Sequence, residues 1–281
     1  MDIKKLQNQQ EEGEALRELA SAYGEIASNK IKQIRTQVEE NRTFFEEISY
    51  VYYLVQTVAK QRKIALKKPK ERICILITSN YRFYGNLNNE LINFFIVDTS
   101  KYNTDRLIIG QTAVDYLKGI NYFHNFQKVI LTTDIPTPVE LQNMASLIKE
   151  YKEVLVFYSE SKSLLVQVPK IKNLNGTKEE QLSKEKDFNL QTNFIVEPDI
   201  DKMLDFFESQ IAILILQQMF LESQLARTAS RLISMDQAQI EAKKYIQKAN
   251  RDLSLSKRAL NGNRILESIA LQQQQPVIDS D

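Results

Sequence analysis

The sequence predicts an α/β protein with two additional long helices, in which the N- and C-terminal helices pair as an antiparallel coiled coil around a small central sheet domain. Three observations lead to this prediction. Proline, which is costly inside helices, is absent from residues 1–68 and 199–275. Apolar residues recur at heptad spacing in both stretches. Between them, short apolar runs alternate with helical patterns, as in sheets covered by helices.

The N-terminal arm, residues 1–68, carries an apolar stripe with alternating steps of four and three. The stripe comprises Ala27, Ile31, Ile34, Val38, Asn41, Phe45, Ile48, Tyr52, Val55 and Ala59. Upstream, Leu16, Ala20 and Tyr23 continue it with one extra step of four, which predicts a local stutter. This spacing predicts a coiled-coil helix.

The C-terminal arm, residues 199–275, repeats the pattern. Its stripe comprises Leu204, Phe207, Ile211, Leu214, Gln218, Leu221, Leu225, Thr228, Leu232 and Met235, and after a phase shift Ala242, Ile246, Ala249, Leu253, Ser256 and Leu260. About 75 helical residues would extend roughly 110 Å, too far to fold into a compact globule. We therefore expect the two arms to pair, with the excess of the longer arm packed on the central domain or extended alone, and with residues 276–281 as a tail.

Cations crowd the last third of this arm, at Lys243, Lys244, Lys248, Arg251, Lys257, Arg258 and Arg264. One interpretation is a solvated helix face. The other is a helix end that runs through a socket built by other chains, since a lone helix is only marginally stable in water.

Residues 69–198 form the predicted central domain. Six segments have the composition of strands: 73–78, 106–109, 129–132, 154–158, 164–168 and 194–196. Three segments have helical patterns: 86–96, 112–117 and 138–151. This alternation predicts a small Rossmann-like α/β sheet. Residues 170–191 are polar and lack a clear period, which predicts a loop.

The stretch ICILITSNYRFYGNLNNELINFF, residues 73–95, has the strand, turn and helix with which nucleotide-binding folds begin. A phosphate-binding loop needs several glycines at set spacing, because the backbone N–H groups must approach the phosphate. Only Gly85 is present in this turn, and Tyr81, Phe83 and Tyr84 fill it. We therefore expect no nucleotide site here.

Other catalytic chemistry also lacks its residues. With one histidine, His124, and one cysteine, Cys74, the chain cannot supply a zinc site or a Cys–His pair without other ligands. We expect no catalytic residue, metal or cofactor in this chain. The net charge of +1 predicts no bulk attraction to nucleic acid. The lone thiol, the polar N-terminus and the absence of an apolar run of about 20 residues predict a cytoplasmic chain without direct membrane insertion.

Short motifs spread over the chain resemble the gamma subunit of F-type ATP synthases. The family's turn T-S-D-R-G-L-x-G-G-L-N is matched at Thr78, Ser79, Gly85, Leu87 and Asn88. Its N-terminal signature A-M-K-M-V-A-x-S-K-L is matched at Ala22, Ile26, Ala27 and Lys30. The segment FIVEPDIDKML, residues 194–204, is similar to the passage in which E-P precedes the family's last helix. The pattern S-x-x-S-E-x-x-A-R-M-x-A-M-x-x-A is matched at Ser223, Arg231, Met235, Ala238 and Ala242.

The resemblance implies the central shaft of a rotary motor. Such a shaft couples rotation to ATP hydrolysis or synthesis in a surrounding hexameric ring of alternating alpha-like and beta-like P-loop subunits, where ATP or ADP and Mg would bind. The sheet domain would form a foot that meets an epsilon-like subunit and a membrane ring or a substitute, in the cytoplasm at the inner face of the cell membrane. The resemblance implies ring contacts at Lys30, Arg227, Arg231, Lys257, Arg258, Arg264 and Glu267.

The chain departs from the family at several positions. The family's Asp, Arg and first Gly of the turn are replaced by Asn80, Tyr81 and Arg82, and its S-E glutamate is replaced by Arg227. These changes leave open either a housekeeping synthase or a specialised motor driven by hydrolysis. The alternative class is a non-rotary coiled-coil tether with an α/β adaptor head, which would self-associate through its apolar stripe.

Overall fold

The computed structural model describes residues 3–61, 70–81, 84–174 and 199–273. Long helices lie at both ends of the chain, α1 at Ile3–Gln61 and α5 at Ile200–Gln273. The elements between them are β1 Lys70–Ile77, α2 Leu87–Thr99, β2 Asp105–Ile109, α3 Gln111–Gly119, β3 Gln127–Val129, α4 Pro138–Ile148, β4 Tyr151–Ser161 and β5 Gln167–Asn173. The chain divides into two compact units, residues 27–231 and residues 1–26 with 232–281.

The unit of residues 27–231 contains a five-stranded sheet in the order β3-β2-β1-β4-β5. The first four strands are parallel, and β5 runs antiparallel to β4. The chain leaves β1 through β2 and β3, then returns to the other side of β1 with β4. Strand order therefore reverses at β1, as in doubly wound nucleotide-binding folds, and the predicted Rossmann-like sheet is confirmed.

Alternate residues of the buried strand β1 enter two separate hydrophobic cores, because successive strand side chains point to opposite faces. Ile73, Ile75 and Ile77 pack in a core with α4, α1 and α5. Cys74 and Leu76 pack in a second core with α2 and α3. The sheet is thus covered on both faces, and helix α5 belongs to the first core.

Helices α1 and α5 run antiparallel within this unit, as the heptad spacing predicts. The Asn41 amide donates to the Leu214 carbonyl oxygen at 3.3 Å and to Gln218 Oε1 at 3.0 Å. Farther along α1, the Tyr52 hydroxyl donates to Glu208 Oε1 at 3.4 Å. A later residue of α1 thus meets an earlier residue of α5. Asn41 is buried and places a polar hydrogen bond inside a largely apolar interface, a device that fixes helix register.

The second unit pairs the start of α1 with the later part of α5, again antiparallel. A Cβ added to Gly13 would lie 2.8 Å from Ile246 Cγ1, whereas one added to Gly24 would lie 3.5 Å from Gln239 Nε2. The predicted α5 positions Ala242, Ile246, Ala249 and Leu253 are buried, but Leu260 is exposed. The prediction of Leu260 as a buried position is therefore wrong.

The α1 stripe in this unit also differs from the prediction. Leu16 and Tyr23 are 59% and 50% exposed, whereas Gly13 and Gly24 are buried. The predicted stutter is wrong, because Gly24 rather than Tyr23 continues the alternating steps. The missing Cβ of Gly13 leaves room for the side chains of Ile246 and Tyr245 on α5.

Several predicted boundaries in the sheet domain are corrected. The strand predicted at 129–132 lies at 127–129, and the strand predicted at 164–168 is mainly a turn that precedes β5. Leu164, Leu165 and Val166 are exposed in that turn. Residues 170–173 of the predicted loop belong to β5, an edge strand that accommodates Pro169. The strand predicted at 194–196 lies outside the described residues.

By length and composition alone, α5 contains one window apolar enough to cross a membrane, within Lys202–Ala270. Half of that window is buried inside the protein. Seven apolar residues of Lys202–Ala270 outside the predicted stripe are buried: Ala212, Ile215, Leu216, Met219, Phe220, Ala226 and Ala229. The apolar content of α5 is thus explained by packing against both α1 and the sheet.

Candidate functional site at the junction of helix α5 and the sheet

The turn that follows β1 is held together by side-chain hydrogen bonds. The Thr78 hydroxyl donates to the Ile109 carbonyl oxygen at 2.8 Å. The Asn88 amide donates to Ser79 Oγ at 2.8 Å, and Ser79 Oγ donates to the Tyr81 carbonyl oxygen at 2.7 Å. Because Thr78, Ser79 and Asn88 are all buried, they fix the turn from inside.

The other two predicted turn residues have different roles. Gly85 has a φ of +57°, a left-handed backbone conformation that favours glycine. Leu87 is the first residue of α2 and is only 5% exposed. The structure thus brings all five predicted turn residues together at the end of β1, where they shape the backbone.

A close backbone approach lies beside this turn, at Gly110 between β2 and α3. Gly110 has φ +100° and ψ +141°, a combination that essentially only glycine adopts. A Cβ at this position would lie 2.7 Å from the Thr78 carbonyl oxygen. The Gly110 N–H donates to the Val129 carbonyl oxygen at 3.1 Å. Gly110 therefore connects the carboxyl ends of three neighbouring strands.

Asp134, in the connection between β3 and α4, organises the same edge of the sheet. Its Oδ2 accepts a hydrogen bond from the Tyr84 hydroxyl at 2.6 Å, and its Oδ1 accepts one from the Asn80 N–H at 2.8 Å. The Asn80 amide donates to the Leu131 carbonyl oxygen at 2.7 Å. Asp134 is 9% exposed, so its carboxylate is satisfied by protein groups within the fold.

Helix α5 completes this edge with residues of a single turn. Arg227 Nη2 donates to the Asp134 carbonyl oxygen at 3.3 Å. Ser230 Oγ donates to the Tyr84 carbonyl oxygen at 2.8 Å. The Arg231 guanidinium lies 4.3 Å from the centroid of the Tyr84 ring, within the range of a cation–π interaction. We call this set the clasp: Tyr84, Asp134, Arg227, Ser230 and Arg231.

Arg227 is the most enclosed charge of the clasp, at 1% exposure. Its Nη1 donates to Ser223 Oγ, one turn earlier on α5, at 2.8 Å. Burial lowers the pKa of the Arg227 guanidinium, and the nearby Asp134 carboxylate opposes that fall. Because arginine stays protonated in proteins, the clasp contains a buried cation close to a buried carboxylate.

The carboxyl edge at the point of strand reversal is where open α/β sheets usually bind ligands. Here Tyr84 and α5 fill that crevice, and the α5 side chains Arg227 and Ser230 donate to the backbone carbonyl oxygens of Asp134 and Tyr84. Within residues 3–61, 70–81, 84–174 and 199–273, no group of three His, Cys, Asp or Glu side chains could hold a metal ion. The arrangement suits a mechanical joint between a helix and a sheet better than a nucleotide site.

The single cysteine and the single histidine lie in different environments. Cys74 is 1% exposed in the core with α2, where burial raises the pKa of its thiol. The His124 ring lies 4.3 Å from the Phe123 ring centroid and is half-buried. Burial, with a smaller effect of Arg106, lowers the pKa of His124.

Tyrosine burial in this unit predicts a loss of stability at alkaline pH. Burial, followed by the hydrogen bond to Asp134, raises the pKa of Tyr84 from 10.0 to about 12. An unfolded chain would release this proton near pH 10, whereas the folded chain retains it. The stabilisation that the Tyr84 hydroxyl contributes is therefore fully present below pH 10 and is lost as pH rises towards 12. We expect Tyr84→Phe to reduce the fall in unfolding free energy over this window by up to about 1.4 kcal/mol per pH unit.

Urea unfolding at a series of pH values would measure this slope. Tyr81→Phe is the matched control, because the Tyr81 side chain is 56% exposed. The slope should remain steep for Tyr81→Phe. An equal slope for Tyr84→Phe and the unmodified chain would show that Tyr84 does not titrate in this way.

The residues predicted to contact a ring lie in different environments. The predicted ring contact of Arg227 is corrected, because its side chain is inside the protein and cannot reach a partner in this structure. Lys30 is half-buried on α1, and Arg231 is half-buried over Tyr84. The remaining four are exposed near the end of α5: Lys257, Arg258, Arg264 and Glu267. These four remain predictions.

Sequence reasoning missed Gly110 and Asp134. A glycine directly after the strand segment RLII was a possible signal for Gly110, since backbone close approach requires glycine. For Asp134 there was no local signal, because its partners Asn80 and Tyr84 lie about 50 residues earlier in the chain.

A family model described as ATP synthase matches residues 2–259. The chain belongs to the ATP synthase gamma family. The ATP synthase gamma chain of Clostridium botulinum strain Eklund 17B is 26% identical over 204 residues, which cover 68% of this chain and 69% of that relative. The gamma chain of Pelagibacter ubique is 21% identical over 272 residues, which cover 90% of this chain and 92% of the relative.

Two solved structures share the fold of this chain. The match to the central stalk and c-ring structure of the Tetrahymena thermophila mitochondrial ATP synthase has a TM-score of 0.58 at 18% identity, and it covers 78% of this chain and 99% of that one. The match to the Euglena gracilis mitochondrial ATP synthase has a TM-score of 0.53 at 12% identity, with 90% and 99% covered. At these identities the likeness concerns the fold.

Proposed function

We propose that this chain is the central-shaft, gamma-type rotor subunit of an F-type or F-type-like rotary ATPase. The observation that carries the proposal is that the family match runs through both paired helices and the sheet domain, residues 2–259. The relatives are gamma chains. The chain itself is a non-catalytic subunit, and the ATP chemistry belongs to its partners.

The physical properties of the fold support a shaft. Two antiparallel helices resist twisting better than one helix, and each face of an asymmetric shaft can favour a different state of the surrounding subunits. Residues 257–270 of α5 are exposed along the whole helix surface. A helix that is exposed on every side and carries both apolar and cationic residues suits enclosure by other chains better than isolation in water.

The partners follow from this proposal. A hexameric ring of alternating alpha-like and beta-like P-loop subunits would surround the end of α5 and hold ATP or ADP with Mg. An epsilon-like subunit and a membrane ring, or a substitute, would meet the sheet domain. The complex would lie in the cytoplasm at the inner face of the membrane. Both a synthase and a motor driven by hydrolysis are compatible with the residues described.

Affinity purification from the native cell, followed by native mass measurement and peptide identification, tests the proposal. We expect one copy of this chain with three copies each of two P-loop subunits. Recovery of membrane-ring subunits would identify a synthase, and their absence would identify a soluble or repurposed motor. Homodimers, or unrelated chains without P-loop subunits, would instead support the coiled-coil tether.

Charge reversal at the exposed end of α5 tests the ring contact. In the purified assembly, Lys257→Glu with Arg258→Glu is expected to lower ATPase activity roughly two- to fivefold, because an exposed ion pair contributes about 1 kcal/mol or less. The deficit should be largest at low salt, where screening is weakest. Steady-state ATP hydrolysis and single-molecule rotation at several salt concentrations would measure both effects.

The matched control reverses two exposed cations on the other helix, Lys32→Glu with Arg35→Glu. Both side chains are exposed on α1, so this variant has the same change in net charge at a different place. Unchanged hydrolysis and unchanged coupling to rotation in the Lys257 and Arg258 variant would show that these residues do not contact the ring.

A further inference from the structure

We propose that Arg227 is a positioning residue that fixes the angle at which the sheet domain is held on helix α5. The inference concerns the unit of residues 27–231, and its importance for torque rests on the function proposed above. A shaft passes its rotation to a foot only as well as the joint between them resists turning. The joint in this unit consists of an apolar core and the polar clasp.

The apolar core defines the angle less sharply than directional contacts do. Contacts between aliphatic and aromatic side chains are non-directional, and cores of the right volume lose uniqueness before they lose stability. Met219 and Phe220 on α5, and Ile75 and Val156 on the sheet, belong to this core. Such contacts hold the helix against the sheet while permitting small rotations.

The clasp adds contacts that depend on direction. The guanidinium is a rigid planar fork whose donors have fixed orientations. One arm of the Arg227 fork is held by Ser223 on α5 and the other reaches the Asp134 carbonyl oxygen. Asp134 is itself held by the Tyr84 hydroxyl, and the Tyr84 carbonyl oxygen accepts from Ser230 on α5. The contacts thus close a loop from the helix to the sheet domain and back to the helix.

Stability by itself does not account for a buried arginine at position 227. Its Nε is buried and has no hydrogen-bond partner among the described residues. Its Nη contacts reach a hydroxyl and a backbone carbonyl oxygen, and an apolar side chain of similar volume at such a buried site is often neutral or stabilising. The contribution that an apolar side chain could not replace is the direction of the contact.

Distance measurements on the isolated chain test the inference without any partner. Spin labels at Val97→Cys on α2 and Phe206→Cys on α5 report the orientation of the sheet domain, because both positions are exposed, at 63% and 56%. The native Cys74 is 1% exposed, which protects it from labelling. We expect Arg227→Lys, which keeps the charge and loses the fork, to widen the distance distribution about twofold with little change in its mean or in the melting temperature.

Two further variants keep the test decisive. Arg227→Met removes the charge with similar volume and should widen the distribution at least as much as Arg227→Lys. Thr228→Val is the matched control, because Thr228 is buried on the same turn and donates only to Gln224 within α5. An unchanged distribution in both Arg227 variants would overturn the inference. A widening in Thr228→Val of the same size would overturn it too, since ordinary packing would then explain the effect.

The assembled motor supplies the functional readout. With a bead attached to the sheet domain, Arg227→Lys should hydrolyse ATP at the unmodified rate without load and should show a lower stall torque. Unmodified stall torque together with a widened distribution would overturn the role in torque. Failure of the unmodified chain to recruit a ring would count against the proposed function, whereas the distance measurements would still decide whether Arg227 fixes the angle.

Discussion

Gly110→Ala is expected to destabilise the sheet domain by roughly 3–5 kcal/mol, the combined cost of a strained backbone and an overpacked contact. The strain arises because φ is +100° at this residue. The overpacking arises because the new Cβ would lie 2.7 Å from both the carbonyl and the hydroxyl oxygen of Thr78. Neither atom can move freely, since the Thr78 hydroxyl is hydrogen-bonded to Ile109.

Urea unfolding monitored by the near-ultraviolet circular dichroism of tyrosine would measure this loss, and it suits a chain that lacks tryptophan. Gly119→Ala is the matched control. Gly119 is the last residue of α3, the helix that begins directly after Gly110, and a Cβ there meets no atom within 4 Å. We expect that control to be neutral or slightly stabilising. A cost below about 1 kcal/mol for Gly110→Ala would mean that the turn at Thr78 relaxes easily.

The long helices could be predicted from the sequence because their signal is local and repeated. Each turn of a heptad pattern reports the same buried face, so the two arms and their antiparallel pairing were recognisable without the structure. The detailed positions failed where small residues replaced large ones. Gly13 and Gly24 lie buried between the helices, whereas the bulkier Leu16 and Tyr23 face solvent. The space that Gly13 leaves for Ile246 on the other helix is a tertiary effect, which hydrophobicity alone does not report.

The site was only partly predictable for a related reason. The turn residues Thr78, Ser79 and Asn88 form a contiguous motif, and the structure places them together. The clasp joins Tyr84, Asp134 and Arg227, which lie far apart in the chain. No periodicity marks such a contact. The family resemblance placed Arg227 among the ring contacts, and only the fold showed its burial.

The hairpin of β4 and β5 shows the opposite error. The apolar triplet at 164–166 has the composition of a strand, yet these residues are exposed and the strand begins at Gln167. The polar sequence QVPKIKN forms β5 because backbone pairing with β4 needs no apolar side chain at the edge of a sheet. Composition therefore misplaced this strand by several residues.

Phe220→Ala is expected to lower the unfolding free energy of the unit of residues 27–231 by about 3–5 kcal/mol, the usual cost of removing a buried aromatic side chain. Phe220 is 1% exposed and packs in the core that α5 shares with the sheet. At about 2–4 °C per kcal/mol, the melting temperature should fall by roughly 10 °C. Thermal and urea unfolding would measure both quantities. Phe206→Ala, at a residue 56% exposed on the same helix, should change stability by less than about 0.5 kcal/mol.

The comparison of Phe220→Ala with Arg227→Lys separates the two parts of the joint. Removing Phe220 takes away non-directional attraction, so stability should fall while the distribution of distances between the labels stays narrow at temperatures below melting. Replacing Arg227 with lysine takes away direction, so the distribution should widen while stability is nearly kept. If Phe220→Ala widened the distribution as much as Arg227→Lys, the apolar core would set the angle as well as the strength of the joint. If stability and orientation depend on different residues in this way, a substitution could change the orientation of the sheet domain on α5 without destabilising the joint.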